Sequence, residues 1–185
     1  MKKKRGYTLL ELIISISLIL VVLGVIYTFF LTNTKTIITT ELGVDLQVEA
    51  QNIQDSILKY GTESKGIIKI NNISLNESYK DIQDLSDNNG KLKIEEIVFN
   101  LEDKNISFKY DSNYKKLELF ENDNLIKTLG GNIESIKIRP IDYKMNPSGN
   151  FHETNGLEFS IILSTKKGYS SAKIPLSIIV KFRNK

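Results

Sequence analysis

An uncharged apolar run near the N-terminus constrains this chain more than any other feature. The run extends from Leu12 to Leu31 and contains no charged side chain. At a rise of ~1.5 Å per residue, a helix of this length crosses the hydrocarbon core of a bilayer. Four basic residues, Lys2 to Arg5, precede it, and basic residues favour the cytoplasmic side of a membrane. The sequence therefore predicts one membrane span, with the N-terminus in the cytoplasm and the rest of the chain outside.

Two residues beside this run fit neither an ordinary anchor nor an ordinary secretory signal. A secretory signal is cut after its apolar core at a small-residue site, and no such site follows Leu31. The small residue lies on the other side, as Gly6, between the basic and the apolar residues. Glu11 places a carboxylate just inside apolar sequence. An acid is costly there, so we expect it to have a partner or a function.

The first residues of the chain resemble the type IV prepilin family, which includes type IV pilins and pseudopilins. The family pattern is a basic leader ending in glycine, then an aromatic or apolar residue, threonine, two apolar residues, glutamate and an apolar helix. The corresponding residues are Gly6, Tyr7, Thr8, Leu9, Leu10 and Glu11. The resemblance is detailed in this N-terminal segment and extends to the remainder only in architecture.

This resemblance implies processing and polymerisation. A membrane-embedded prepilin peptidase would cut between Gly6 and Tyr7, and Tyr7 would become an N-methylated N-terminus. The family's usual first residue is phenylalanine, from which tyrosine departs. Glu11 would attract the terminal amine of a neighbouring subunit, because a buried carboxylate and a buried ammonium are each costly alone and tolerable together. Thr8, Leu9 and Leu10 complete the segment implied to act in assembly.

Two other interpretations of the N-terminus stay open. In a single-pass anchor, Glu11 reaches the lipid headgroups and Gly6 is only a flexible junction. That interpretation keeps the leader uncut and makes Glu11 dispensable. In a cleaved secretory signal, the cut would fall near Asn33 or Thr34.

The rest of the chain is predicted to fold as one exported domain. With 185 residues, 41% hydrophobic and 25% charged, the chain has the composition of a folded protein. The formal net charge of +3 becomes −1 when the leader's four basic residues are removed, so overall charge does not favour nucleic acid. The sequence has no cysteine, which excludes disulfides and thiolate metal sites.

The helix is predicted to continue beyond the membrane to Tyr60. No proline interrupts residues 35–60, and Tyr60-Gly61 together with Gly66 has the form of a helix end. Glu41, Glu49 and Lys59 are expected on the side facing solvent. The apolar residues recur at helical spacing and predict one buried face, made by Ile38, Leu42, Leu46, Ala50, Ile53 and Ile57.

From residue 94 onward the apolar period changes to two, which is typical of strands. Short turns separate the runs, so we expect an antiparallel meander with one face on the helix. Residues 67–89 are expected to form a surface loop, within which Ile67–Ile70 has the pattern of a short strand. Pro175 is expected at the start of the last strand or on a free edge. The main alternating residues are Ile97, Phe99, Leu101, Ile106, Phe108, Tyr110, Leu117, Leu119, Leu157, Phe159, Ile161, Leu163, Leu176, Ile178, Val180 and Phe182.

These patterns and the resemblance together predict an α+β, pilin-like fold. A long N-terminal α-helix, with a membrane or filament-core half and an amphipathic half, packs on an antiparallel β-sheet. The predicted divisions are a leader peptide at residues 1–6, the membrane or filament-core half at 7–31, the amphipathic half at 32–60 and a head domain at 61–185.

Few residues suggest catalysis or metal binding, and we predict no enzyme activity and no cofactor. Asp87, Asn89 and Glu96 have part of the spacing of a calcium loop, but Leu85 occupies the first ligand position. A plain Asn-Gly turn leading into a strand explains the same stretch. The single histidine, His152, lies in a polar segment and is expected to be solvated.

Two lysine pairs beside tyrosines are the candidates for contact with nucleic acid. They are Lys115-Lys116 after Tyr114 and Lys166-Lys167 before Tyr169. Basic hairpin tips are usually soluble turns, so nucleic acid is not expected among the partners.

The resemblance favours a structural subunit of a type IV pilus that contributes to adhesion, motility or pilus assembly. The strand-rich C-terminal half favours a minor pilin over a major one. Its expected partners are other pilin subunits, the prepilin peptidase, membrane lipid before assembly and the pilus assembly platform. Its expected location is the cytoplasmic membrane and then the extracellular pilus. The alternatives are a pseudopilin of a type II secretion or DNA-uptake machine and a membrane-anchored binding domain that never polymerises.

Overall fold

The structure is a computed structural model, and it describes residues 8–75, 87, 89–144, 151 and 154–183. The chain divides into two compact units, Met1–Glu41 and Leu42–Lys185. The described part of the first unit is almost entirely helical. The second unit contains the C-terminal part of the same helix together with the strands.

The helix α1 extends from Leu9 to Glu63. The predicted buried face is confirmed in the second unit, whereas Ile38, in the first unit, is only half-buried. Glu41 and Lys59 are exposed, as predicted. The buried residues of α1 are Leu42, Leu46, Ala50, Ile53, Ile57 and Gly61.

The helix ends at Glu63, between Gly61 and Gly66, the two glycines predicted to end it. Gly61 is a buried residue of α1, and a Cβ at this position would lie 2.5 Å from Cγ1 of Val180. This glycine therefore allows a close approach of helix and strand. The change to extended backbone comes at Gly66, whose φ of 150° is one that residues with a side chain rarely adopt.

The described residues of the second unit form ten strands. They are β1 (Gly66–Ile70), β2 (Ile73–Ser74), β3 (Leu92–Lys93), β4 (Glu96–Asn100), β5 (Asn105–Asp111), β6 (Lys116–Glu121), β7 (Asn124–Gly130), β8 (Ile133–Pro140), β9 (Gly156–Lys167) and β10 (Ser170–Lys181). A short 3-10 helix at Ile141–Lys144 follows β8.

The strands form two antiparallel sheets, where the sequence predicted one. The larger sheet has the order β2-β1-β4-β5-β6-β7, and the smaller has the order β10-β9-β8-β3. The predicted meander is confirmed from β4 to β7. Part of the predicted 67–89 loop is a strand within the larger sheet, because β1 pairs with both β2 and β4. The strand β3 pairs with β8, so the chain visits the smaller sheet between β2 and β4.

The core lies between the sheets and the buried face of α1. The ring of Phe99 is near its centre, with centroid distances of 5.8 Å to Phe108, 6.4 Å to Phe159 and 6.3 Å to Phe182. The buried hydroxyl of Tyr110 donates a hydrogen bond of 3.0 Å to the carbonyl oxygen of Ile133. The alternating residues predicted to face inward in β4, β5 and β6 are all buried.

Glu49 joins α1 to the turn between β7 and β8, and its predicted position on the solvent-facing side is wrong. Its Oε1 accepts hydrogen bonds from the backbone N–H groups of Gly131 at 2.8 Å and Asn132 at 2.9 Å. Its Oε2 accepts one from Nδ2 of Asn132 at 2.8 Å. The neighbouring Gly130 lacks room for a Cβ because the Glu49 carboxylate fills that space. A half-buried carboxylate thus satisfies two turn amides that have no strand partner there.

Pro175 lies in the middle of β10 and pairs with Ile162. Its predicted position at the start of the last strand is wrong, and the alternative prediction of a free edge is confirmed, since β10 is an outer strand of the smaller sheet. Proline lacks the N–H that an inner strand needs for its ladder, which restricts it to such edges.

Candidate functional site

A reciprocal capping box between Thr8 and Glu11 begins α1. Oε2 of Glu11 accepts a hydrogen bond from the Thr8 backbone N–H at 2.9 Å and one from the Thr8 hydroxyl at 3.0 Å. The Glu11 backbone N–H donates to Oγ1 of Thr8 at 3.3 Å. Threonine at the cap and glutamate three residues later satisfy otherwise unpaired amides at a helix start. In the part of the chain that the structure describes, both donors to the Glu11 carboxylate contact Oε2 and none contacts Oε1.

Exposed apolar side chains surround this box. Leu9 and Leu10 are 77% and 68% exposed, and the large apolar side chains from Leu12 to Leu31 are exposed as well. Among the described helices, α1 is long and apolar enough to cross a membrane, with a mean hydropathy of 2.9 in its most apolar window. A surface of this kind requires lipid or other apolar helices around it.

Hydroxyl groups within the apolar run bond to the helix itself. Ser15 donates to the carbonyl oxygen of Glu11 at 2.8 Å, Ser17 to that of Ile13 at 2.9 Å, and Thr32 to that of Thr28 at 2.9 Å. A hydroxyl that bonds four residues back is satisfied without water. The run is therefore compatible with a hydrocarbon environment despite its serines and threonines.

Two predicted site residues, Gly6 and Tyr7, lie outside the described residues. Of the residues predicted to act in assembly, Leu9, Leu10 and Glu11 lie on the first turn of α1, and Thr8 directly precedes it as the N-cap. It brings Thr8 and Glu11 into direct contact and leaves the two leucines exposed.

The calcium candidates are engaged by other groups. Oδ1 of Asp87 accepts the backbone N–H of Asn89 at 3.0 Å and that of Lys91 at 2.9 Å, and Oδ2 lies 3.1 Å from Nζ of Lys137. The Lys91 amide first, and also Lys137, hold the pKa of the Asp87 carboxyl below its ordinary value. This geometry is that of a side chain organising a tight turn.

Glu96 is on β4 and forms ion pairs with Lys69 at 2.6 Å and Lys109 at 3.3 Å. Within the described ranges, no three acidic, histidine or cysteine side chains come together in a group that could hold a metal ion. His152 lies outside the described residues.

The N-terminal segment matches a known sequence motif. Residues 1–27 match a family model described as the prokaryotic N-terminal methylation motif. The chain carries the type IV prepilin signature. The prepilin resemblance is therefore confirmed, and this signature together with the apolar helix supports cleavage, methylation and a membrane-spanning segment. The chain matches no curated protein and no solved structure.

The prepilin signature supports a type IV pilin-like or pseudopilin protein. It indicates a structural subunit that assembles with other pilin subunits and is processed by a prepilin peptidase. The fold agrees with it, because one long N-terminal helix packs against antiparallel sheets in a pilin-like arrangement. The capping box lies within the matched residues.

Proposed function

We propose that this chain is a minor pilin of a type IV pilus, contributing to adhesion, motility or pilus assembly. The peptidase removes residues 1–6 on the cytoplasmic side, and Tyr7 becomes the methylated N-terminus. Residues 7–31 then form the membrane and filament-core half of the helix, residues 32–60 the amphipathic half and residues 61–185 the extracellular head. The pilus assembly platform moves the subunit from the membrane into the filament.

The observation that carries the proposal is the Glu11 carboxylate held by Thr8 inside an exposed apolar surface. Before assembly, the two hydrogen bonds from Thr8 reduce the number of unsatisfied acceptor positions that the carboxylate brings into the membrane. During assembly, Oε1 accepts the terminal amine of a neighbouring subunit. Charge pairing then fixes the axial position of one helix against the next, while the leucines replace lipid with protein.

The test is the entry of Glu11 variants into filaments. Glu11→Gln keeps the size of the side chain and its ability to accept from Thr8, but it removes the charge that attracts an ammonium. We expect Glu11→Gln to remain at wild-type level in the membrane, with its leader cut normally, and to fall at least tenfold in the sheared filament fraction. The measurement is quantitative immunoblotting of both fractions.

The matched control is Glu41→Gln, which removes an exposed acid of the same helix outside the apolar run. It should enter filaments like the wild type. Wild-type entry of Glu11→Gln would contradict the proposed charge pairing. Absence of the wild-type chain itself from filaments would favour the anchored domain that never polymerises.

A further inference from the structure

Two hairpin tips combine exposed tyrosine with paired lysines. In the turn between β5 and β6, Tyr114 is 71% exposed and precedes Lys115-Lys116, and Nζ of Lys116 lies 6.0 Å from the centre of the Tyr114 ring. In the turn between β9 and β10, Lys166-Lys167 precedes Gly168 and Tyr169, and Tyr169 is fully exposed. The φ of 59° at Gly168 permits the tight turn that projects this tyrosine.

Backbone bonds and charges place the two tips at the same end of the second unit. The N–H of Ile133 donates to the carbonyl oxygen of Lys115 at 3.0 Å, which ties the first tip to the start of β8. The N–H of Ser164 donates to the carbonyl oxygen of Asn132 at 2.8 Å, just before β9 continues into the second tip. Lys173 lies 2.9 Å from Glu134. The hydrogen bond from Lys173 first, and also the charge of Lys115, lower the pKa of the Glu134 carboxyl, so residues from both hairpins act on one group.

The two hairpin tips lie at the end of the second unit where α1 enters that unit. Glu49, two helical turns after Leu42, bonds to Asn132 in the turn between the two hairpins. At the opposite end, the last turn of α1 meets the C-terminal residues, where the N–H of Arg183 donates to the carbonyl oxygen of Thr62 at 3.2 Å. Along the chain, the end with the tips is therefore the one joined to the apolar run.

The lysines of the tips are available for an external anion. Among the described residues, no carboxylate lies within ion-pair distance of Lys115, Lys116, Lys166 or Lys167. The opposite end differs, since Lys65 pairs with Glu102 at 3.3 Å and Lys104 pairs with Glu121 at 3.0 Å. Four lysines that form no ion pair among the described residues thus accompany two exposed tyrosines at this end.

We propose that these two tips form a contact surface for the anionic headgroups of the membrane in which the subunit waits before assembly. Tyrosine favours the membrane interface because its ring is apolar and its hydroxyl is polar. Each lysine near an anionic bilayer strengthens the contact by about fivefold. The proposal rests on the proposed membrane-resident state of the pilin. Lipid fits better than nucleic acid, because the tips lie at the end joined to the membrane segment and the cleaved chain has no excess of positive charge.

The experiment uses the full chain in lipid nanodiscs, with one spin label per molecule. Because the sequence has no cysteine, the substitutions Tyr169→Cys and Tyr114→Cys each give a single labelling site at a tip. A label at Asp103→Cys reports the environment of an exposed turn at the opposite end of the second unit. A label at Phe30→Cys reports the environment of the apolar run. The quantity measured is the accessibility of each label to oxygen, which enters lipid, relative to a water-soluble nickel complex.

Both tip labels should become more accessible to oxygen than to nickel when phosphatidylglycerol is added to phosphatidylcholine nanodiscs, and the Asp103 label should not change. Salt at 1 M should reverse the effect, since the screening length falls to about 3 Å. Replacing Lys115, Lys116, Lys166 and Lys167 by glutamine should abolish it. The matched control removes the same number of positive charges elsewhere, by glutamine at the exposed residues Lys59, Lys93, Lys127 and Lys181. In this control the response of the tip labels to phosphatidylglycerol should remain.

Three results would overturn the lipid contact. One is equal accessibility of the tip labels in neutral and anionic nanodiscs while the Phe30 label reports lipid, which leaves the membrane-anchored pilin intact. Another is a response of the tip labels to added duplex DNA and not to phosphatidylglycerol, which assigns the tips to nucleic acid. The third is a Phe30 label that reports water, which refutes the membrane-resident state on which the inference rests.

Discussion

Glu49 shows how a single residue can join elements that are distant in sequence. Its carboxylate accepts three hydrogen bonds from Gly131 and Asn132, 82 and 83 positions along the chain. Glu49 lies seven residues after Leu42, so helical spacing places it at the edge of the apolar stripe and does not support the predicted solvent-facing position. The helical period still contains no information about a turn that returns from so far away. The local signal is Gly130, which has no side chain in the space that the Glu49 carboxylate fills.

Replacing Glu49 by alanine should destabilise the second unit. Two backbone N–H groups would lose their acceptor, and we expect the free energy of unfolding to fall by about 1–3 kcal/mol. Glu49→Gln should cost less, because the amide oxygen can still accept from both backbone groups. The measurement is thermal unfolding of the full chain in detergent micelles, followed by circular dichroism.

Asp45→Ala is the control for this prediction, because Asp45 is an exposed acid one turn earlier on α1. It should leave the unfolding temperature within error of the wild type. An equal loss for Asp45→Ala and Glu49→Ala would mean that helix charge, and not the turn contact, sets the stability.

At the scale of the element, two glycines of α1 have opposite surroundings. A Cβ at Gly43 would meet nothing within 4 Å, whereas a Cβ at Gly61 would lie 2.5 Å from Cγ1 of Val180. Both glycines weaken the helix by about 1 kcal/mol relative to alanine. Gly43 therefore has no packing reason to be glycine, and Gly61 has one.

Replacing each of these glycines by alanine should change the free energy of unfolding in opposite directions. Gly43→Ala should raise the free energy of unfolding by about 0.5–1 kcal/mol. Gly61→Ala should lower it, because forcing a methyl into a filled site costs about 1–3 kcal/mol and outweighs the gain in helix propensity. Chemical unfolding of both variants measures the difference.

A double-mutant cycle tests the cause of the effect at Gly61. In a Val180→Ala background the clash is removed, so Gly61→Ala should cost less than it does alone. The same cost in both backgrounds would show that Val180 is not the obstacle.

The strands show what alternation can and cannot predict. The inward-facing residues of β4, β5 and β6 are predictable because each strand buries one face, and period two identifies that face. The division into two sheets is not predictable in this way, since pairing partners such as β3 and β8 are separated by some 40 residues. Alternation also cannot distinguish a proline at a strand end from one on an outer strand, which is why Pro175 left two positions open.

At the scale of the whole molecule, the candidate site is more predictable than the fold. The prepilin motif and the capping box involve residues within a few positions of one another, so a short stretch contains the complete signal. The spacing of Thr8 and Glu11 before an apolar run is itself the signature of a capping box, so their contact was predictable from the sequence. The sequence does not reveal that two lysine and tyrosine turns lie at one end of the second unit, because this depends on the packing of both sheets.

The mass and N-terminal sequence of the native protein decide whether the chain is processed as a pilin. The protein would be purified from its own membranes and from the sheared surface fraction, and analysed intact. We expect a chain that begins at N-methylated Tyr7 and lacks residues 1–6. A chain that still carries Met1 to Gly6, in cells with an active prepilin peptidase, would contradict the proposed processing.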